Sequence, residues 1–444
     1  MQRLNKIIVW IGLTALSLSA TAQDKHAFSI QQALDYAKKN NVRVKNALLD
    51  IQIQEQTNRE VTGSALPQIK ATGSLVYNAK LPISLIPAEF FGGTPGTFEE
   101  LPFGVKWNST GGITLNQIVF DGTVFAGLKA RDALMNYSGK LEEITEETIR
   151  ANIYKVYYQL LVSKTQIELL DSNIANQTKL QHDTKIMFDN GFSEQLDIDK
   201  ITVQIVNFQT ERANAVNVAA NGYLGLKMLM GMHIRDELTL TDTLSDEQIT
   251  QGIPDMTSFD YNQRRDYQAN ELGIQLNQFD LKHYRFAKLP TLNLNGYYNK
   301  NAQRNKFNFT GKGDWFGISA FTLNLNIPIF TGFSANARIQ RAKLVLEQSV
   351  NNRESLKITI DNDIDSAKNS FNSAISSLNY QKKNMTLAEN IFQQTKKKFE
   401  AGTGSQTEIN QAQTDLKAAQ TNYINALSTA IISKVDFIKA TGKL

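Results

Sequence analysis

The chain has 444 residues, is 41% hydrophobic, and carries a formal net charge of +4 from 47 basic and 43 acidic side chains. A mean hydropathy of −0.31 excludes a polytopic helical membrane protein, and near-balanced charge with no basic stripe excludes a nucleic-acid surface. The absence of cysteine excludes disulfides, thiol catalysis and thiolate-bound metal, and the four histidines (His26, His182, His233 and His283) are scattered rather than clustered.

Residues 1–22 read as a secretory signal peptide. Arg3 and Lys6 precede the apolar run from Ile7 to Leu18, and Ala20-Thr21-Ala22 supplies the small-residue cleavage pattern before Gln23. The apolar core is too short to span a bilayer. With no cysteine behind it, lipid anchoring at the mature N-terminus is not expected.

Residues 23–231 form a first structural repeat. It opens on a helix from Phe28 to Gly63, which gives way at Leu66-Pro67 to a strand over 66–80, because proline breaks a helix and extends the residue before it. A Pro/Gly-rich loop, 81–104, carries Phe90, Phe91, Phe98 and Phe103, and a return strand covers 107–120 from Trp107. Apolar and polar residues alternate along both strands, each of roughly the 9–11 residues that a tilted membrane strand needs. A small soluble sandwich with an aromatic core is the alternative reading of this segment taken alone.

A long helix hairpin then fills 123–231. Its first helix presents Ile149, Ile153, Val156, Leu160, Ser163, Ile167, Leu170 and Ile174, continuing to Phe188, at alternating spacings of four and three. That is the seam of a coiled coil, with a period of about 3.5. Residues 232–258 are expected to be a linker with little regular structure.

The second repeat, 259–444, runs the same course. A helix from Phe259 to Ala287 ends at Leu289-Pro290; strands at 290–299 and 315–328 flank a loop at 300–313, with Trp315 opening the return strand; a helix hairpin covers 333–440. The seam recurs at one constant offset, from Ile360, Ile364 and Phe371 to Phe392 and Phe399, and a glycine follows each closing phenylalanine, Gly191 and Gly402. The chain therefore reads as an internal duplication.

Four strands alone leave two edges whose backbone groups lipid cannot satisfy. Association closes them. Two copies give a barrel of about eight strands filled by its own side chains, and three give about twelve strands, wide enough for water. The expected fold is thus an α+β membrane protein: a homotrimer in which four strands per chain share a 12-stranded β-barrel in lipid, continued by a long α-helical coiled-coil barrel below it. A trimeric coiled-coil surface protein is the alternative from another class, but it needs neither returning hairpins nor duplication.

No Gly-rich phosphate loop or nucleophile–base pair is present. Asp197 with Asp199 point to different helix faces, and Asp361, Asp363 and Asp365 read as a solvated helix surface. No catalytic, cofactor or metal site is expected, and the chain does not read as an enzyme.

The paired Leu-Pro strand entries, the paired turns Phe120-Asp121-Gly122 and Phe330-Thr331-Gly332, and the two hairpin tips resemble the outer-membrane efflux protein family, the TolC-like outer-membrane factors. The tips are Phe188 to Ser193 and Phe399 to Ser405. The resemblance covers the whole mature chain. It implies an exit duct in the cell outer membrane, with its helical barrel in the periplasm. The duct would be held in outer-membrane lipid and coupled through a periplasmic adaptor (membrane fusion) protein to an inner-membrane pump of RND, ABC or MFS type. Type I polypeptide secretion is the alternative within the same class, since the pump chooses the substrate. The resemblance places adaptor docking at Gly191, Phe192, Ser193, Gly402, Thr403, Gly404 and Ser405, and a periplasmic gate at Glu408, Gln411 and Gly404. The family's paired gate carboxylates fall on Glu408 and Gln411, so only one is acidic here, and Gly404 stands where a basic residue is usual. Pro67, Gly122, Pro290 and Gly332 mark strand–helix transitions, and Trp107 and Trp315 the membrane interface. A convergence of Glu408 side chains would favour cations.

Overall fold

The computed structural model describes residues 25–244, 249, 259–309 and 313–444. The expected signal peptide, residues 1–22, lies outside the described residues, as do parts of the expected linker and of the second loop. The described chain divides into two compact units. One comprises 25–49, 139–244, 249, 259–268 and 355–444, and the other 50–138, 269–309 and 313–354.

The elements in order are β1 (Lys25–Phe28), α1 (Ile30–Asn40), α2 (Val42–Ser64), β2 (Gln68–Tyr77), β3 (Ile83–Pro87), β4 (Phe98–Pro102), β5 (Trp107–Phe120), α3 (Gly122–Asp189), α4 (Gln195–Met230), β6 (Glu237–Leu240), α5 (Arg265–Phe286), β7 (Thr291–Arg304), β8 (Phe316–Asn326), α6 (Ser334–Glu400) and α7 (Gln406–Ala440). No helix among the described residues is long and apolar enough to cross a membrane.

The first unit is built on helix packing. Ile149, Ile153, Leu160 and Leu170 of α3 are buried, as are Ile360, Ile364, Phe371 and Phe392 of α6. Each stripe is covered by the returning helix and its neighbours: Leu160 packs in one core with Leu226 and Met230 of α4, and Phe392 in another with Ile409 and Leu416 of α7. Polar ties cross the same helices. Asn173 donates to Gln420 Oε1 at 2.7 Å, and Arg212 holds Asp171 at 2.5 Å.

Three expectations for this unit are corrected. The helix read from Phe28 to Gly63 is two helices, preceded by β1. It breaks at Asn41, whose backbone is extended (φ −61°, ψ 127°). Asn41 Nδ2 donates to the Leu229 carbonyl at 2.6 Å, and its Oδ1 accepts from the Arg43 N–H at 2.7 Å, so one side chain caps α2 and pins the break to the end of α4. At that contact Gly231 sits at φ +70°, where an added Cβ would lie 2.4 Å from the Asn40 carbonyl oxygen. Local periodicity cannot reveal a break held by a partner 188 residues away. The expected linker, 232–258, is not devoid of regular structure: β6 pairs in parallel with β1, Lys25 opposite Glu237 through Phe28 opposite Leu240. Asp242 then accepts from the Ile30 N–H at 2.8 Å and from the Tyr157 hydroxyl at 2.9 Å. The helix expected from Phe259 starts later, after a single tight turn at Tyr261–Gln263. Arg264 fixes that start, reaching Asp266 through two bonds of 3.0 and 2.6 Å and the Ala440 carbonyl at 3.0 Å.

The second unit holds a four-stranded antiparallel sheet in the order β2-β5-β7-β8, so both edges are unpaired within the chain. The strand expected at 290–299 continues through Arg304, because β5 pairs with it as far as Trp107 opposite Arg304; its polar Asn301 and Gln303 keep the alternation rather than starting a loop. The loop 81–104 is not irregular: β3 and β4 pair within it as a separate hairpin, Ile83 opposite Pro102 through Pro87 opposite Phe98. β2 and β8 are slightly shorter than the expected 66–80 and 315–328. Below the sheet, Asn58 of α2 donates to the Arg131 carbonyl of α3 at 3.2 Å.

Candidate functional site

Strand pairing fixes which side chains share a face of the sheet, since opposed residues point the same way. Ile69 lies opposite Leu115, Ala71 opposite Ile113 and Tyr77 opposite Trp107. Leu292 and Leu294 lie opposite Leu325 and Leu323, and Gly296 lies opposite Phe321. This face is apolar through its middle, and its large side chains are exposed in the single chain: Ile69, Leu75, Phe321, Leu323 and Leu325 among them. Phe321 lies across Gly296, where a Cβ would approach the ring to 2.7 Å. The opposite face carries Lys70, Thr72 and Ser74 of β2, Asn108, Thr110, Thr114 and Asn116 of β5, Asn295, Asn299 and Asn301 of β7, and Thr322, Asn324 and Asn326 of β8. Its surface is mostly amides and hydroxyls, with Val76, Phe316 and Ile318 toward one end, and Lys70 is its one charge; Lys300 and Arg304 of β7 fall on the other face. A sheet with these two faces suits a boundary between hydrocarbon and water.

Trp107 and Trp315, far apart in sequence, belong to one aromatic row. Tyr77 meets Trp107 at 4.6 Å between centroids, Trp107 meets Phe307 at 5.0 Å, Phe307 meets Phe309 at 5.6 Å, and Phe309 meets Trp315 at 6.3 Å. Arg304 lies over Phe309 at 5.2 Å. At the other strand ends, Pro67 and Pro290 sit between a helix and the next strand, after Ser64 and Phe286 respectively. Gly122 and Gly332 open the way into α3 and α6 for different reasons. A Cβ on Gly122 would strike Phe286 Cβ at 2.8 Å, whereas Gly332 stands in open space at φ +60°.

The two helix-hairpin tips share one backbone design. At the first, the Gly191 N–H donates to the Phe188 carbonyl at 2.9 Å and the Phe192 N–H to the Met187 carbonyl at 2.8 Å. At the second, Gly402 donates to Phe399 at 2.9 Å and Thr403 to Lys398 at 3.0 Å. These are Schellman closures, and the glycines take the required left-handed backbone at φ +81° and +73°. Gly404 adds a further bond to the Lys398 carbonyl at 3.1 Å. Ser193 donates to Asp197 Oδ2 at 3.2 Å, and Glu194 caps α4 through a reciprocal box with Asp197. Ser405 caps α7, its Oγ accepting from the Glu408 N–H at 3.2 Å.

The side chains differ. The first tip exposes Ile186, Phe188, Leu196 and Phe192, the last 79% exposed. The second buries Phe399 and exposes Thr403, Ser405 and Glu408. Glu408 and Gln411 are brought onto one exposed side of α7, and Gln411 donates to Asp415 Oδ1 at 2.9 Å. Asp415 is a carboxylate that the sequence reading missed. Its place seven residues beyond Glu408, two helical turns along the same face, is the signal that could have found it. Gly404 and Glu408 share the tip but make no mutual bond among those described.

Residues 261–443 match the family described as "Outer membrane efflux protein". The chain is 21% identical over 340 residues to the outer membrane protein TolC of Vibrio cholerae, covering 75% of this chain and 76% of that one. It is 20% identical to the TolC of Salmonella enteritidis across 97% of this chain and 85% of that one. Among solved structures, the fold is similar to that of CusC (TM-score 0.75, 16% identity, 93% of this chain and 92% of that one) and to the Campylobacter jejuni CmeC outer membrane channel (TM-score 0.75, 17% identity, 93% and 85%). The matched tips, the two-faced sheet and these likenesses lead to one conclusion: the chain has the fold of these outer-membrane channels, and its second half matches the outer membrane efflux protein family.

Proposed function

We propose that three copies of this duplicated chain form the outer-membrane exit duct of a tripartite efflux system. The observation that carries the reading is the sheet: one face apolar through its middle, one face rich in amides and hydroxyls, and two unpaired edges, β2 and β8. Such a sheet satisfies its backbone in lipid only when β8 of one copy pairs with β2 of the next. Three copies give a closed barrel of about twelve strands with a water-filled lumen. The apolar face meets outer-membrane lipid, the amide-rich face lines the lumen, and the row from Tyr77 to Trp315 sits at the interface. The seams of α3 and α6 pack as coiled coils in a periplasmic helical barrel.

Conduction is passive, and the family is one of channels, not enzymes. The hairpin tips from Gly191 to Ser193 and from Gly402 to Ser405 receive a periplasmic adaptor, with exposed Phe192 as the apolar anchor, and an inner-membrane pump of RND, ABC or MFS type drives transport through it. Around the threefold axis, Glu408 forms an acidic ring with Gln411 and Gly404 beside it, and Asp415 adds a second ring that favours cations.

The test is the native mass of the purified protein, followed by its conductance in a planar bilayer. Three chains and an ohmic pore are expected. A stable monomer with no conductance would leave the sheet edges open in lipid and end this reading.

A further inference from the structure

In the second unit, the corner where α5 enters β7 and β8 leaves for α6 concentrates positive charge. Residues 282–288 and 334–343 hold six lysines and arginines, Lys282, Arg285, Lys288, Arg338, Arg341 and Lys343, and no Asp or Glu. Among the described residues their contacts are with neutral groups, and no carboxylate pairs with any of the six. Lys288 meets Asn336 Oδ1, Arg341 meets the Tyr284 hydroxyl at 3.4 Å, and Lys282 lies over the Phe279 ring at 5.1 Å. Duplication does not require this charge. With Leu66-Pro67 set on Leu289-Pro290 and Gly122 on Gly332, the first repeat has Thr62, Ala65, Leu128 and Ala133 at the places of Arg285, Lys288, Arg338 and Lys343.

Beside the charge lies exposed hydrocarbon. The apolar row of β8, Phe321, Leu323 and Leu325, is followed by Ile327, Ile329, Phe330 and Phe333, of which Ile329 is 94% and Phe333 72% exposed. Phe333 is the one non-glycine residue among those described with a left-handed backbone, at φ +64°, and its ring meets Phe330 edge-on at 5.5 Å. A bulky side chain in that conformation is strained. Here the strained residue turns its ring to solvent rather than into a core. A cleft of about 340 Å³ lies between the 328–336 segment and Ala287 with Lys288.

Apolar groups in line with a lipid-facing strand, and cations just past its end, suit the boundary of an anionic membrane surface. A second copy is a poorer cover. Pairing of β8 with β2 of a neighbour sets residues 63–70 beside this corner, and those carry Lys70 and no carboxylate.

We propose that this corner holds an anionic phospholipid, its phosphate among Arg285, Lys288 and Arg338 and its acyl chains along Ile329, Phe330 and Phe333. The site rests on the duct reading, which puts the sheet in lipid, and names the lipid that the end of β8 selects.

The test is native mass spectrometry of the full chain released from nanodiscs of equal phosphatidylglycerol and phosphatidylcholine with matched acyl chains. One spectrum reads both copy number and retained lipid. One phosphatidylglycerol per chain is expected, preferred over phosphatidylcholine by about tenfold or more, since each cation near an anionic surface contributes about fivefold. Lys288→Gln is expected to lower that preference about fivefold, and Lys288→Gln with Arg338→Gln to remove nearly all of it. Phe333→Gly relieves the strained backbone and should weaken both lipids alike while keeping the preference. Lys129→Gln, on the matched helix of the first repeat, should leave retention unchanged. A trimer that retains the two lipids equally, or a double variant with unchanged preference, overturns the proposal and leaves the duct standing. A double variant that loses the trimer but keeps its lipid preference assigns the corner to a second copy and overturns it as well. A monomer ends the duct reading and this site with it.

Discussion

Phe188 and Phe399 occupy matched places, each three residues before a left-handed glycine, yet Phe399 is 5% exposed and Phe188 is 38% exposed. Phe399 sits in one core with Phe392, Ile409 and Leu416, and Phe188 stands outside it. The two truncations should therefore separate stability from docking. Phe399→Ala is expected to cost about 3–5 kcal/mol, read as a lowered denaturation midpoint. Phe188→Ala should leave the midpoint nearly in place and weaken capture of the adaptor.

The sheet predicts an asymmetry between neighbouring residues of β8. Leu323→Arg puts a charge on the apolar face, at a cost of about 2–4 kcal/mol if that face meets the bilayer midplane. Thr322→Arg puts it on the polar face. Trimer yield in membranes should fall for the first, while the second should assemble normally and change only the single-channel current.

For the acidic side of α7, the reversal potential in a salt gradient is the measurement. Glu408→Gln is expected to reduce cation preference by about twofold, and adding Asp415→Asn should reduce it further. Unchanged selectivity in the double variant would return both carboxylates to the status of solvated helix residues.

Gly231→Ala is expected to be far more damaging than Gly191→Ala, although both glycines have positive φ. At Gly191 nothing lies within 4 Å of an added Cβ, so the cost is the backbone preference of about 1 kcal/mol. At Gly231 the Cβ would meet the Asn40 carbonyl oxygen at 2.4 Å, and backbone cannot swing away as a side chain can. Thermal denaturation of the two variants gives the comparison.

Alkaline pH should expose the Tyr157 anchor. Burial, then the hydrogen bond to Asp242, raises its phenol above the ordinary value of 10.0. The neutral form is thus favoured in the folded chain. Its contribution is complete below about pH 10, where the unfolded phenol is also neutral, and is lost as pH rises toward the higher folded value. Tyr157→Phe should cost about 1–3 kcal/mol at neutral pH and flatten the alkaline limb of the stability profile.

The parts of the fold legible in the sequence are those set by local chemistry. Leu66-Pro67 and Leu289-Pro290 announce a change from helix to strand because proline denies the helix its N–H, and the alternation in Leu292, Leu294 and Tyr298 gives a strand with one apolar side. The seam from Ile149 to Leu170 is visible because burial repeats at helical spacing. What escaped depends on distant partners. The break at Asn41 needs Leu229, β6 needs β1, and β7 reaches Arg304 only because Trp107 lies beside it. At the candidate site, the tip motif reaches Glu408 and Gln411, whereas Asp415 lies a further turn along α7, outside the motif.

The middle of the sheet is the pairing of β5 with β7, and all of residues 121–290 lie between those strands. Each half of the chain can make its own hairpin, β2 with β5 or β7 with β8, from neighbouring residues. Joining them demands closure of a very long intervening stretch, the kind of contact that forms late because its entropy must be met before it is rewarded. The first long helix hairpin is therefore synthesised whole before the sheet has a centre. The sheet would be among the last parts of the molecule to form, which keeps its apolar face uncommitted until the polypeptide has finished its journey.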